Sequence, residues 1–248
     1  MAELPAILAI ETSGRVGGVG VYRFDPSGEC RSASEVTFER GILHGAAVTP
    51  SLRRVLKDSG CVGPALALVC VSAGPGSWTG LRIGVTAAKS LAYAWKVPVC
   101  GVSSLEALAL EAADVFGAPA ASRALVPVRD AKRDEFFFAL FDRLDGALVR
   151  TSADQALPAE EFARRLPPGA IVFGDVAALR KKLDALRFPA GVELREAPAH
   201  AGPPRAARLG WRALAEGRVL RSPEEIHAFA PAYLKLSHPE LKLQERGR

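Results

Sequence analysis

Cysteine is scarce in this chain of 248 residues: Cys30, Cys61, Cys70 and Cys100 lie far apart, with no C-x-x-C pair. Cys70 and Cys100 sit inside apolar runs. All four read as reduced, buried small hydrophobes of a cytosolic protein rather than catalytic or metal-binding groups. Histidine is equally sparse. His44, His200, His227 and His238 form no H-x-x-x-H or H-E-x-x-H pair, so a helical two-histidine metal site is excluded. No G-x-S-x-G elbow is present to present a serine nucleophile. Long hydrophobic runs are missing too. Ala65–Val71 falls far short of the ~20 apolar residues that span a bilayer, which argues against a membrane protein. The opening Met1-Ala2-Glu3-Leu4 has no basic n-region of a secretory signal.

What is present is an ordinary globular balance, 49% hydrophobic and 24% charged, which supports a core without disulfide or metal staples. The net charge is +5 and the isoelectric point about 9.2. The cations occur as scattered pairs, Arg53-Arg54, Arg164-Arg165 and Lys181-Lys182, without interleaved aromatics. They read as solvated helix faces rather than a dedicated RNA surface.

Along the chain, Ala6–Ile10, Val16–Phe24 and Ser32–Phe38 read as three strands. Val48, Leu52, Val55 and Leu56 then make one helical stripe, with Pro50 either in its first turn or inside a longer helix from Ile42. Gly60 suits its end. Ala65–Ser72 reads as a strand buried on both faces. A helix follows from Leu81 to about Trp95, then a strand over Val97–Val102. Ser103 and Glu106 make a capping box for the helix to about Phe116. Three meandering strands followed by right-handed strand–helix crossovers describe a ribonuclease-H-like half. Gly117–Ser122 reads as a linker, giving an N-terminal lobe 1–117 and a smaller C-terminal lobe 118–248. In the second lobe, strands are expected over Leu125–Val128, Glu135–Phe141, Ala147–Thr151, Ala170–Phe173 and Val192–Arg195. Helices are expected over Ala159–Leu166, Val176–Leu186 and Arg205–Glu216.

Three segments could carry chemistry. Glu11-Thr12-Ser13 ends the first strand, where an acid and two hydroxyls hold either a hydrated metal with a phosphate or only the local backbone. Gly74-Pro75-Gly76-Ser77-Trp78-Thr79-Gly80 joins a strand to a helix start. That geometry aims backbone N–H groups at an anion, or forms a tight loop capped by Ser77 or Thr79. It is neither a Walker loop nor a dinucleotide fingerprint. Asp130, in the charged turn to Glu135, could face Glu11 across a cleft. The candidate phosphate or nucleotide cleft is Glu11, Thr12, Ser13, Gly74, Gly76, Ser77, Thr79, Gly80 and Asp130; no cofactor is required by these residues, and ATP with magnesium is the one they could take.

The stretch Gly74-Pro75-Gly76-Ser77-Trp78-Thr79-Gly80-Leu81-Arg82-Ile83-Gly84, continued by Ala88-Lys89-Ser90-Leu91-Ala92 and Gly101-Val102-Ser103-Ser104-Leu105-Glu106-Ala107-Leu108, closely resembles the signature of the TsaB (YeaZ-like) family. Ile7–Ser13, Asp130–Glu135 and Pro231-Ala232-Tyr233-Leu234 are similar to further motifs of that family, in order along the chain. Glu11 stands where the family has Asp, Trp78 where it has Phe, and Gly14 where polar residues are common. The resemblance implies an α/β actin-like, sugar-kinase-like fold of two ribonuclease-H-like lobes, the second reduced. It implies a non-catalytic cytoplasmic subunit that binds and activates TsaD in threonylcarbamoyladenosine modification of tRNA, together with TsaE. Contact with tRNA would be indirect, and the subunit alone would be a homodimer. The family's partner-facing helices map here to His44–Lys57 and Leu81–Trp95. That mapping offers His44, Val48, Leu52, Val55, Leu81, Gly84, Val85, Ala88, Leu91 and Ala92 as interface. A nucleotide-binding ATPase of the actin-like superfamily is the alternative.

Overall fold

The computed structural model describes residues 4–39, 44–116, 123–181, 186–196 and 200–235. Its first sheet is built from β1 (Ala6–Glu11), β2 (Val16–Phe24), β3 (Cys30–Glu39), β4 (Leu68–Gly74) and β5 (Val99–Ser103). The order is β3-β2-β1-β4-β5. β1 runs antiparallel to β2 and parallel to β4, and β4 is parallel to β5. Every residue of β1 and β4 is buried. This is the signature of strands covered on both faces, and the reason their sequences read as unbroken apolar runs.

The second sheet repeats that order. Its strands are β6 (Leu125–Lys132), β7 (Glu135–Phe138), β10 (Gln155–Pro158), β11 (Ile171–Gly174) and β12 (Glu193–Leu194), arranged β10-β7-β6-β11-β12. β6 is antiparallel to β7 and parallel to β11. A hairpin of β8 (Phe141–Leu144) and β9 (Ala147–Arg150) is inserted between β7 and β10 and pairs with β6 through β8. Two ribonuclease-H-like lobes therefore exist, and the second is the reduced one.

Helices α1 (His44–Asp58) and α2 (Trp78–Trp95) cover the outer face of the first sheet. Short helices α4 (Ala159–Arg165) and α5 (Val176–Arg180) cover the outer face of the second. The inner faces are covered crosswise. Helix α3 (Ser104–Phe116) leaves the first sheet, yet packs Leu105, Leu108, Ala109 and Ala112 against Leu125, Phe141, Ile171 and Phe173 of the second lobe. Helix α6 (Gly202–Ala215), from the C-terminal part of the chain, packs Ala206, Ala207, Leu209 and Ala213 against Ile7, Ala9, Leu68 and Cys70 of the first. After it, Leu220 bridges to Val99, and α7 (Pro223–Ala228) buries Ile226 in the first lobe's outer core. The two sheets part between β5 and β6, yet each lobe is completed by a helix from the other half of the chain.

Several local expectations need revision. Pro50 lies inside α1, so the longer helix is the one formed. Glu135–Phe141 breaks into β7 and β8, and β10 and α7 carried too little periodicity to be found. α5 ends at Arg180, short of Leu186. Ser103 accepts from the Glu106 N–H, but the Glu106 carboxylate pairs with Arg150, so only half of the capping box forms. Cys61, Cys70 and Cys100 are buried and outside any disulfide, whereas Cys30 is exposed at the start of an edge strand, against expectation. The expected linker 117–122 and the tail from His238 lie outside the described residues.

Candidate functional site between the lobes

At the end of β1, Glu11 is buried and its carboxyl is fully occupied. Oε1 accepts from the backbone N–H of Ser13 and from Ser13 Oγ, both at 2.6 Å, and Oε2 accepts from Ser72 Oγ. Thr12 donates its hydroxyl to the Gly80 carbonyl at 2.7 Å, and Ser77 N–H donates to the Ser13 carbonyl at 2.8 Å. These bonds fold the glycine loop down onto the Glu11–Ser13 segment. The approach is so close that a Cβ at Gly76 or Gly80 would lie within 3.0 Å of the Ser13 or Thr12 carbonyl. Glycine here gives backbone contact between loop and strand end. Of the two capping alternatives, Ser77 is the cap, accepting from Gly80 N–H at 3.3 Å.

The cleft beside this loop, of about 920 Å³, runs between the lobes. Ser13, Gly76, Ser77, Thr79 and Asp130 line it, as the sequence suggested. Glu11, Thr12, Gly74 and Gly80 do not, since the loop seals them beneath its own backbone. Asp130 does not pair with Glu11. Its carboxylate binds Lys132 Nζ at 2.6 Å and Lys132 N–H at 2.7 Å. Six cationic side chains face the cleft against two acidic ones, Asp130 and Asp175. Asp175 is itself engaged, accepting from Asp130 N–H at 3.0 Å. No cluster of three His, Cys, Asp or Glu side chains able to hold a metal occurs among the described residues.

Two features of the cleft escaped the sequence reading. The first is the strap Pro231–Lys235. Tyr233 stacks on Trp78 with ring centroids 3.8 Å apart. Arg82 lies 4.7 Å over Trp78 and donates to the Tyr233 hydroxyl at 3.1 Å. Ala232 N–H donates to the Ala73 carbonyl at 2.8 Å, while Lys235 reaches the second lobe at Glu135 and the Ala131 carbonyl. The P-x-Y-L motif signalled this strap, and it accounts for tryptophan at position 78, whose larger ring gives Tyr233 and Arg82 a common surface. The second is Arg129, only 6% exposed, whose Nε has no hydrogen-bond partner. Its one sequence signal is a cation following the apolar run Leu125–Val128.

The partner-facing residues also need correction. Val48, Leu52, Val55, Leu81, Gly84, Val85, Ala88 and Ala92 are buried in the chain's own first lobe. Gly84 is small because Thr12 Oγ1 and Val71 lie against it, not because a second chain does. Leu91 is half-buried on the same core, and the side chain of His44 lies outside the described residues. The face that α1 and α2 leave open carries Ala46, Thr49 and Arg53 on one helix and Thr86, Ser90 and Tyr93 on the other. Tyr93 is 66% exposed, and Val62, just beyond α1, is 67% exposed. The buried Cys70 thiol is pushed up from its ordinary pKa by the adjoining Cys100 thiol and by burial, so it is no nucleophile.

The family model described as "TsaD: tRNA N6-adenosine threonylcarbamoyltransferase" matches residues 41–196. The chain belongs to this family, on its TsaB/YeaZ branch. It is 28% identical over 240 residues to the "tRNA threonylcarbamoyladenosine biosynthesis protein TsaB" of Bacillus subtilis, covering 95% of this chain and 96% of that protein. A protein of the same description from Buchnera aphidicola is 33% identical over 110 residues, 43% of this chain and 48% of the relative. The solved structure of YeaZ from Pseudomonas aeruginosa superposes with a TM-score of 0.75 at 22% identity, over 93% of this chain and all of that one. At that identity it speaks for the fold alone.

Proposed function

We propose that this protein is the non-catalytic partner subunit of a threonylcarbamoyl transferase of the TsaD kind. In this reading it acts in threonylcarbamoyladenosine modification of tRNA next to the anticodon. The observation that carries the reading is the exposed face of α1 and α2. The signature loop and the glycines of α2 fix both helices rigidly on the first sheet, and their outer stripe presents Tyr93, with Val62 close to the end of α1, to solvent. An aromatic residue on a preformed helix pair is the kind of anchor on which interfaces concentrate their energy. The transferase then supplies the metal and the chemistry, TsaE joins the same assembly, and tRNA is touched through the complex. Without its partner the same face pairs two copies of this chain, in the cytoplasm and off the membrane.

Light-scattering chromatography of the full chain, alone and with TsaD from the same organism, tests this. A mixed complex should displace any homodimer. Tyr93→Glu should weaken it at least about tenfold while leaving the unfolding midpoint unchanged, because the side chain is exposed. No complex well above micromolar concentration would refute the reading. A second reading, a nucleotide-binding ATPase, is favoured by the size of the inter-lobe cleft. Calorimetry with ATP and magnesium decides it: no heat would remove it.

A further inference from the structure

We infer that the inter-lobe cleft is a metal-independent site for a phosphate oxyanion, centred on Arg129. The argument starts from a matched pair of positions. Ile7 of β1 faces Leu68, the first residue of β4, and Leu125 of β6 faces Ile171, the first residue of β11. Counting from those anchors, Glu11 is the fifth residue in one strand and Arg129 the fifth in the other. Both are buried charged side chains at the cleft end of the strand next to a parallel neighbour. Glu11 is satisfied three times over from within its lobe. Arg129 lines the cleft with a buried Nε that nothing accepts from. A buried guanidinium donor left unpaired costs free energy, and an anion bound in the cleft would offset that cost.

The surroundings suit a tetrahedral oxyanion. The first turn of the 18-residue helix α2 reaches the cleft at Trp78 and Thr79, and the N–H groups of such a turn have no acceptor within the helix. Arg15, exposed in the β1–β2 turn, closes another side. Donors thus converge from three elements, as a phosphate requires and a planar carboxylate does not. Gly14 makes the arrangement possible: a Cβ there would lie 3.2 Å from Nη1 of Arg129, so the missing side chain leaves the guanidinium its room. A metal is not needed and has little to hold it, because Glu11 is sealed, Asp130 is bound to Lys132, and Asp175 is bound to the Asp130 N–H. A flat ring would have to compete for Trp78, which already stacks on Tyr233 and carries Arg82 over its ring. The ligand is therefore recognised through its phosphate.

This site is independent of the partner-docking face, so the two stand or fall separately. The test is thermal unfolding of the full chain with inorganic phosphate in EDTA, against sodium chloride of equal ionic strength, and a parallel series with AMP. The midpoint should rise saturably, by roughly 5–10 °C at a hundredfold excess over Kd. Arg129→Met should abolish the rise. Should that variant not fold, Gly14→Asp serves instead. It keeps Arg129 but sets a carboxylate against the guanidinium, and should weaken phosphate at least tenfold. A steeper response to AMP would assign the site to a phosphomonoester, and an equal or weaker one to free phosphate. The inference is overturned if the wild type shows no saturable rise, if the rise survives in Gly14→Asp, or if it appears only with magnesium.

Discussion

Glu11 and Arg129 hold corresponding positions in two sheets of the same strand order, and the lobes treat them in opposite ways. In the first lobe, β4 leads through a glycine loop into the long helix α2, and the loop closes over Glu11. In the second, β11 leads into α5, which has only five residues, and among the described residues nothing comparable covers β6. One lobe spends its crossover helix on sealing its strand end. The other leaves its strand end open, and the cleft with its excess of cations is the result. A common topology thus fixes where two charged groups sit, while the length of the following loop and helix decides whether each becomes structure or site.

The lobes differ in their strand ends but share helices α3 and α6, and the largest effect would come from a core substitution that tests this exchange. Phe162 is fully buried in the second lobe between Phe136 and Phe138, with centroids 5.8 and 4.9 Å away. Phe162→Ala should cost about 3–5 kcal/mol. The three tryptophans, Trp78, Trp95 and Trp211, lie on α2 and α6, which pack on the first sheet. Because α3 and α6 are exchanged between lobes, tryptophan fluorescence should show the same loss as circular dichroism. A fluorescence transition left at the wild-type midpoint would mean that the exchange does not couple the lobes.

The sealing loop comes next. Gly80→Val places a branched side chain against the Thr12 carbonyl, where backbone rather than a movable side chain is the obstacle. A loss of about 1–3 kcal/mol or more is expected in denaturant unfolding. An unaffected midpoint would show that the loop does not rest on β1.

A pair of substitutions then sharpens the contrast between the two charges. Glu11→Ala strands the hydroxyls of Ser13 and Ser72 and should cost about 1–3 kcal/mol. Arg129→Met removes a buried unpaired donor and keeps an apolar stem, so stability in phosphate-free buffer should change by no more than about 0.5 kcal/mol, or rise. Equal losses at the two positions would mean that Arg129 is a structural strut.

Much of the first lobe was legible because its strands are buried on both faces and its helices carry clear stripes. The reduced lobe was harder. Its strands are two to eight residues long, and β10 is only half-buried, so neither run length nor alternation announced it. The crosswise packing of α3 and α6 left no local trace, since an apolar stripe says that a helix is covered and not by which sheet. The residues that the family resemblance offered as interface fall for the most part on the buried stripe of α1 and α2. Apolar residues at helical spacing mark the chain's own core first, and the face that the two helices leave open is polar with a single exposed tyrosine. Sequence placed Glu11 and Asp130 across a cleft from each other by analogy of topology. It could not show that a loop lay over one and a lysine beside the other.

The smallest expected effect concerns the turns that close matching strand pairs. In the first lobe β2 passes to β3 through one tight turn, whereas in the second the corresponding passage from β7 to β10 carries the inserted hairpin β8–β9. The tight turn is organised by Asp25. Its Oδ1 accepts from Ser27 Oγ at 2.6 Å, Ser27 N–H at 2.9 Å and Glu29 N–H at 3.0 Å, and Oδ2 faces Arg31. The Ser27 hydroxyl, the Glu29 N–H and Arg31 push its pKa down from 3.8 to about 2. A carboxyl whose pKa is lower in the folded state stabilises above its unfolded value and loses that contribution as pH falls through the folded one. The window is therefore between pH 3.8 and about 2. Since the group is exposed, solvent and salt keep the effect on overall stability small. Carbon-detected NMR titration of the Asp25 carboxyl should give a midpoint near 2 in the native protein. A midpoint near 4, the ordinary value for a free aspartate, would mean that these bonds do not order the turn, and the tidy closure of the first lobe would no longer distinguish it from the second.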